Sequence, residues 1–330
     1  MTSQKIPVFQ DIRDAAERLS GLAVVTPLLE SPALNAKVGA RVLVKPECLQ
    51  RVGAFKFRGA YNMISRLSKT DWPGGVTTCS SGNHGQGVAE AARLCGMDAV
   101  VVMPEDAPAM KVARTRRSGA EVVTYDRDTE DREAIAARIS AERKAKFVPP
   151  YDHPDIIAGQ GTAGIELMEQ AEAMGLRPEV LLAPCGGGGL ISGLGLAVKH
   201  FNPDIEVIAV EPEGFDDTLR SLKSGNREIC DKRSGSICDA LLSPQPGELT
   251  FSLNRKQLAD AVAVSDDEVR EAIRFAFKEF KLVVEPGGAV ALAALLSGRY
   301  DPRGRVTAIV LSGGNIDPGQ FAGILQADGA

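Results

Sequence analysis

Three features of the sequence predict an α/β fold with two domains, each carrying a mainly parallel sheet flanked by helices. Short, nearly continuous apolar runs recur along the chain, the pattern of strands buried on both faces. Each leads into a turn, often glycine-rich, and then an amphipathic stretch of helical period. The length, 330 residues, is generous for one core and comfortable for two. Such alternation gives parallel sheets covered by helices, and their ligand loops leave the carboxyl ends of the strands.

Taken in order, the chain opens with MTSQKIPVFQDIRDAAERL, polar and then amphipathic, without the apolar core of a signal peptide. A soluble, cytoplasmic protein is the expectation. In the next distinctive segment, RVGAFKFRG at 51–59, Lys56 stands between Phe55 and Phe57 with a glycine on either side. Two readings are open. Either the stem packs on the rings while the ammonium reaches water, or the amine is partly desolvated, with the lowered pKa of a nucleophile or Schiff-base former. Residues 75–79 (GVTTC) read as a strand running into SSGNHGQ, with a helix from Gly87. Residues 98–103 (DAVVVM) form the next strand, followed by PEDAPAMKVARTRRSG and a further strand at 120–125 (AEVVTY). Later, 180–184 (VLLAP) leads into CGGGGLISG, 205–210 (IEVIAV) follows the next helix, and 306–311 (VTAIVL) closes the series before SGGN. The chain contains no internal repeat and no low-complexity tract.

Composition narrows the function classes. Hydrophobic residues make up 44% and charged residues 25%, which sets disordered and fibrous classes aside. No apolar run approaches the ~18 residues a membrane helix needs. A net charge of -5 without a sustained basic block argues against a nucleic-acid partner. Six cysteines, at 48, 79, 95, 185, 230 and 238, form no CxxC and no cysteine-histidine ligand spacing, so they read as reduced core thiols. With three histidines, a histidine-based metal site is not expected.

The loops carry the chemistry. After Cys185, four successive glycines, Gly186, Gly187, Gly188 and Gly189, let the backbone approach a ligand while the following helix aims its free N–H groups outward. That arrangement binds phosphate without lysine or arginine. A tight turn alone accounts poorly for four glycines, because each loses more conformational freedom on folding than any other residue. Glu211 lies a plausible distance onward for a dinucleotide fold, but the spacing does not match G-x-G-x-x-G, and a Walker A lysine is absent. The expected ligand therefore carries a phosphate and is neither NAD nor ATP. CSSGNHGQ at 79–86 either holds a carboxylate, with Ser81 and Asn83 directed into a cleft, or is an ordinary turn with a capping serine. Ser312 in SGGN puts one hydroxyl at a strand end. EPEGFDD at 211–217 is either a solvated acidic turn or a site where two carboxylates share a hard cation, magnesium or calcium, with a backbone carbonyl and waters. An amine in an apolar setting, a phosphate cup, a carboxylate-sized loop and a hydroxyl for a ring nitrogen are together what pyridoxal phosphate requires.

On these residues the chain resembles the fold-type II pyridoxal-phosphate enzymes, which share the tryptophan-synthase-β architecture. The likeness lies in the branch of serine/threonine dehydratases, serine racemases and hydroxyaspartate dehydratases. It runs through TPLLESPALN, GAFKFRGA, SSGNHGQGVA, MPEDAPAMKVARTRRSGAEVV, YDHPDIIAGQGT, PCGGGGLISG, VEPGGAVALAAL and LSGGNID, in that order. The resemblance implies that Lys56 forms the Schiff base with pyridoxal 5'-phosphate and removes the α-proton of the substrate. Phe55 then packs on the cofactor ring, Asn83 meets its 3-hydroxyl, the four glycines hold its phosphate, and Ser312 faces its nitrogen. Ser80, Ser81, Asn83 and His84 meet the substrate, with Ser81 as a second acid-base group in the racemases. Residues 1–50 and 149–330 form the large cofactor domain, and 51–148 the small substrate-loop domain. The implied assembly is a homodimer. Metal-activated members use the positions of Glu211, the Phe215 carbonyl and Asp217.

A neutral hydroxyl such as that of Ser312 does not stabilise a protonated pyridine as an aspartate does, so prompt β-elimination is favoured and transamination is not expected. The chain ends soon after SGGN, so the regulatory domain of biosynthetic threonine dehydratases, with its isoleucine feedback, is not expected. The expected activity is an ammonia-lyase reaction on small β-hydroxy-α-amino acids, L-threonine and L-serine first. The alternatives are 3-hydroxyaspartate dehydratase and then serine racemase. Arg132 bears on that choice. It aligns with an arginine that reaches toward the active site in the racemase group, where its planar fork suits a β-carboxylate.

Overall fold

The computed structural model of the protein describes residues 5–326, apart from Ser81, Pro108, Arg127 and Arg233. Its strands are β1 (Leu29–Glu30), β2 (Val42–Pro46), β3 (Val76–Cys79), β4 (Ala99–Pro104), β5 (Glu121–Tyr125), β6 (Lys146–Phe147), β7 (Val180–Pro184), β8 (Glu206–Pro212), β9 (Leu258–Val264) and β10 (Thr307–Leu311). They form a six-stranded sheet in the order β1-β2-β10-β7-β8-β9 and a four-stranded sheet in the order β5-β4-β3-β6. Every pairing is parallel except β1 with β2. The α/β architecture with two mainly parallel sheets is as expected.

Alternate residues of each strand face opposite layers. In the larger sheet Val44, Leu182, Val210 and Ile309 face the Pro286–Leu296 helix, which is buried along its length. Leu43, Leu181, Val207 and Val310 face the Pro154–Ala173 and Gly189–Phe201 helices on the other side. In the smaller sheet Val76, Val101 and Met103 face the Lys56–Ile64 and Asn83–Cys95 helices, and Val100 and Val102 face the Arg132–Arg143 helix.

Four strands were not expected from periodicity: β1, β2, β6 and β9. Lys45 breaks the apolar run of β2, yet it is fully buried, its ammonium 2.7 Å from the Glu166 carboxylate. β9 is partly exposed, with only Ala261 and Val264 buried, and Asp260 interrupts its apolar run. β1 and β6 are two residues each, too short for any period to register.

The Pro154–Ala173 helix joins the two layers that matter for the site. A Cβ on Gly159 would lie 2.6 Å from the Gly59 Cα, and one on Gly161 would lie 2.8 Å from the Gly193 carbonyl. Backbone therefore packs directly on backbone, and this one helix sets both the Lys56 helix and the helix after the glycine loop. β10 and β7 are hydrogen-bonded neighbours, so the Ser312 loop and the glycine loop leave the sheet side by side. Among the described residues no helix is long and apolar enough to cross a membrane.

Candidate active site

Lys56 is the first residue of the Lys56–Ile64 helix, and its amine donates to the Pro150 carbonyl at 2.6 Å. It lies 5.3 Å from the centroid of the Phe55 ring. The side chain as a whole is half-buried, but its amine is enclosed by protein. Loss of hydration lowers its pKa to about 8, against the opposing pull of Glu285. The desolvated reading of this lysine describes it better than the snorkelling one.

Arg58, two residues on, anchors the start of that helix. Its fork is fully buried and reaches Glu47 at 2.7 and 2.8 Å and Glu166 at 2.6 and 2.9 Å. Burial works against the Arg58 charge and the two carboxylates outweigh it, so the guanidinium stays ionised. The helix is thereby tied to the end of β2 and to the Pro154–Ala173 helix.

The loop before Lys56 is stitched to the loop after β10. Phe55 N–H donates to the Ser312 carbonyl at 3.1 Å, Gly314 N–H to the Gly53 carbonyl at 2.9 Å, and Ala54 bridges Gly313. Phe55 and Ser312 are thus neighbours. The Ser312 hydroxyl makes no hydrogen bond among the described residues, although the residue is buried. Asn83 opens the Asn83–Cys95 helix and donates from Nδ2 to Glu285, while its Oδ1 accepts from Asn315 at 2.8 Å. One N–H and one lone pair of the carboxamide remain free for a ligand. Burial, reinforced by Asp239, raises Glu285 to about 7.

The His84 ring is buried, with Nε2 3.0 Å from the Val148 carbonyl and Nδ1 unpartnered. Burial and then Lys56 push its pKa to about 3, so it is neutral near pH 7. Ser80 Oγ accepts from Gly82 N–H at 3.2 Å. Ser81, the proposed second acid-base group, lies outside the described residues.

Gly186 to Gly189 lead into the Gly189–Phe201 helix, with Gly188 at φ 93°, a left-handed conformation that favours glycine. Side chains on Gly187 or Gly189 would run into Tyr151, whose ring lies against this loop. A Cβ on Gly188 would sit 2.8 Å from Asn254 Nδ2, a buried donor without a partner. Bare backbone, the unpaired first N–H groups of a helix and an unused carboxamide donor fit a phosphate. With Lys56 and the free Ser312 hydroxyl nearby, the residues present fit pyridoxal phosphate.

Glu211, near the end of β8, accepts from the N–H groups of Thr218 at 2.9 Å and Leu219 at 2.8 Å. Asp217 opens the next helix and is buried with neither carboxylate oxygen partnered, and Phe215 is buried between them in sequence. Burial and then Asp217 raise Glu211 to about 8, and burial raises Asp217 to about 7. This is a carboxylate pair: no group of three or more His, Cys, Asp or Glu that could hold a metal occurs among the described residues.

Arg132 is exposed at the first position of its helix and makes no hydrogen bond or ion pair among the described residues. It is close enough to Cys79, the last residue of β3, to oppose the rise that burial causes in that thiol. Its neighbour Glu133 adds to the rise that burial causes in Tyr151. The turn therefore lies over the carboxyl end of β3.

Sequence reasoning had singled out Lys56, Asn83, the glycines and Ser312, but not Pro150, Tyr151, Asn254, Glu285 or Asn315. Tyr151, Glu285 and Asn315 sit in YDHPDIIAGQGT, VEPGGA and SGGN, and Pro150 directly precedes the first of these, segments whose resemblance is plain but whose roles depend on who faces whom.

The family model described as pyridoxal-phosphate dependent enzyme matches residues 19–313. The chain is 44% identical over 318 residues to an L-threo-3-hydroxyaspartate ammonia-lyase from a Pseudomonas species, covering 96% of this chain and 98% of the relative. It is 39% identical over 321 residues to a serine racemase from Schizosaccharomyces pombe, covering 97% and 98%. The crystal structure of a T.th. threonine deaminase superposes with a TM-score of 0.89 at 43% identity, over 94% of this chain and 99% of the other. With Lys56, the glycine loop and the Ser312 hydroxyl gathered at the carboxyl ends of adjacent strands, the chain belongs to the pyridoxal-phosphate-dependent enzyme family.

Proposed function

We propose that the protein is an ammonia-lyase that converts small β-hydroxy-α-amino acids to a 2-oxo acid and ammonia. The observation that supports this best is the pairing of a desolvated amine with a phosphate cup through two adjacent residues. Pro150 accepts from Lys56, and Tyr151 packs on Gly187. Pyridoxal phosphate, when bound, supplies the electron sink for the substrate α-carbon. Lys56, with a pKa near 8, takes up and returns a proton at Nζ close to neutral pH. Backbone N–H groups of Gly186 to Gly189 hold the phosphate, Asn83 orients the ring beside Phe55, and the neutral Ser312 hydroxyl favours loss of the β-hydroxyl over transamination. Ser80, Ser81 and His84 belong to the substrate loop, with Ser81 as the acid-base group on the far face. In this reading 1–50 with 149–330 is the cofactor domain, 51–148 the substrate-loop domain, and the protein is a homodimer, which sedimentation would reveal.

L-Threonine and L-serine stand first as substrates. A second reading, 3-hydroxyaspartate, is supported by one observation: Arg132 has no partner among the described residues and lies within electrostatic reach of Cys79, at the carboxyl end of β3. A panel of L-threonine, L-serine, D-serine and the hydroxyaspartate isomers, assayed for ammonia, tests both. If the second reading holds, hydroxyaspartate exceeds threonine in kcat/KM. Arg132→Ala then lowers its turnover by about 2 kcal/mol while sparing threonine. Equal losses on both substrates mark a structural arginine. Ammonia from none of them refutes the activity.

A further inference from the structure

We infer that Arg114, on a helix outside the catalytic loops, is a positioning residue that fixes the direction of Asn83 through Asn315. In its bearing on the cofactor this rests on the function proposed above.

The Ala109–Arg117 helix places Lys111 and Arg114 one turn apart on the same face. Arg114 Nη1 donates to Asn315 Oδ1 at 2.8 Å, and Lys111 Nζ donates to Asp239 at 2.8 Å. Both contacts tie this helix, which follows a strand of the smaller sheet, to loops beyond it. Their chemical content differs.

A carboxamide can rotate by half a turn with almost no change in shape, and only its partners distinguish the two directions. A guanidinium can only donate, so the atom of Asn315 that meets Arg114 has to be the oxygen. The nitrogen then faces the other way, and its two N–H groups meet the Val52 carbonyl and Asn83 Oδ1, each at 2.8 Å. Asn83 must therefore present its oxygen to Asn315, which sends its own nitrogen to Glu285.

The far end of this chain does not set the direction. Glu285 is raised to about 7 by burial and Asp239, so near neutral pH it is present both as an acceptor and as an acid able to donate. Arg114, which can only donate, and the Val52 carbonyl, which can only accept, together form the end that cannot reverse. Water does not compete within the relay, because Asn83 and Asn315 are 8% and 7% exposed. Gly53 leaves room for the Asn315 carboxamide, since a Cβ there would lie 2.7 Å from Oδ1. The direction matters to the ligand. An N–H of Asn83 attracts an ionised 3-oxygen on the ring, whereas the reversed carboxamide sets oxygen against oxygen.

The test uses the full chain labelled with 15N-asparagine, first freed of cofactor and then titrated with pyridoxal 5'-phosphate. In Arg114→Met, side-chain amide exchange at Asn83 and Asn315 should quicken about tenfold, and cofactor affinity should fall about tenfold, the scale of one charge-assisted hydrogen bond. Arg114→Lys, which keeps a donor, should restore both to within about threefold. Lys111→Met, which loosens the same helix and reaches the relay only through its charge effect on Glu285, the end that does not set the direction, should also stay within about threefold of the parent. Unchanged exchange and affinity in Arg114→Met would overturn the inference. So would equal losses in Arg114→Met and Lys111→Met, which would make the arginine a mere tether. If the parent takes up no cofactor, the proposed function fails, while amide exchange still decides the relay.

Discussion

Loss of hydration brings the Lys56 amine to about 8, and the nearby Glu285, itself raised by burial to about 7, offsets only part of that shift. A neutral amine is the form that attacks an aldehyde. Uptake of pyridoxal phosphate by the cofactor-free protein should accelerate as pH rises from 7 to 8 and level off above that, followed by absorbance in a stopped-flow instrument. A rate still climbing through pH 10 would show an ordinary, hydrated lysine. Lys56→Ala should lose the visible cofactor band and nearly all turnover while keeping a cooperative melt. Near-normal ammonia release in that variant would remove Lys56 from the chemistry.

Among the elements, the Pro154–Ala173 helix governs the site without lining it. It packs on the Lys56 helix through Gly159 and Gly59 and on the cup helix through Gly161 and Gly193, at distances no side chain tolerates. Gly193→Ala drives a methyl into the Ile157 carbonyl and Gly161, and should lower stability by about 1–3 kcal/mol in urea unfolding. It should also weaken cofactor binding, because the cup moves with its helix. Gly323→Ala, in the Pro318–Gln326 helix with open space around it, should leave stability the same or slightly higher. Equal effects of the two substitutions would mean that the crossing is looser than the backbone contacts indicate.

For the molecule as a whole, the buried carboxylates set the response to pH. Glu211, Asp217 and Glu285 all titrate higher in the folded chain than in the unfolded one. The folded state then holds more protons, and its stability falls as pH rises through their folded values. His84, lowered to about 3, acts the opposite way only below its unfolded value of 6.5, and Lys56, lowered to about 8, does so only from the top of the neutral range up to its unfolded value of 10.5. Between pH 6.5 and 8 the carboxylates dominate, so the melting temperature in EDTA should fall across that window. Magnesium or calcium shared by Glu211 and Asp217 would favour their ionised forms, raising the melting temperature more at pH 8 than at 6.5 and flattening the decline. Identical profiles with and without cation would remove this site.

The alternation of apolar runs, turns and helices was enough to fix the α/β class and the positions of β3, β4, β5, β7, β8 and β10. Buried parallel strands write their burial directly into composition. The glycine loop and Lys56 were legible for a related reason: four glycines and a lysine between aromatic rings are costly unless a ligand repays them. What stayed hidden depends on partners distant in the chain. Lys45 reads as a surface residue until Glu166, 121 residues away, neutralises it inside β2. The carboxyls of Glu211 and Asp217 read as solvated until the fold encloses them. The direction of Asn83 depends on Asn315 and Arg114, 201 residues apart in the chain. A sequence carries each group's own chemistry, whereas desolvation, charge pairing and the orientation of an amide are properties of neighbours, and only the tertiary structure assigns neighbours.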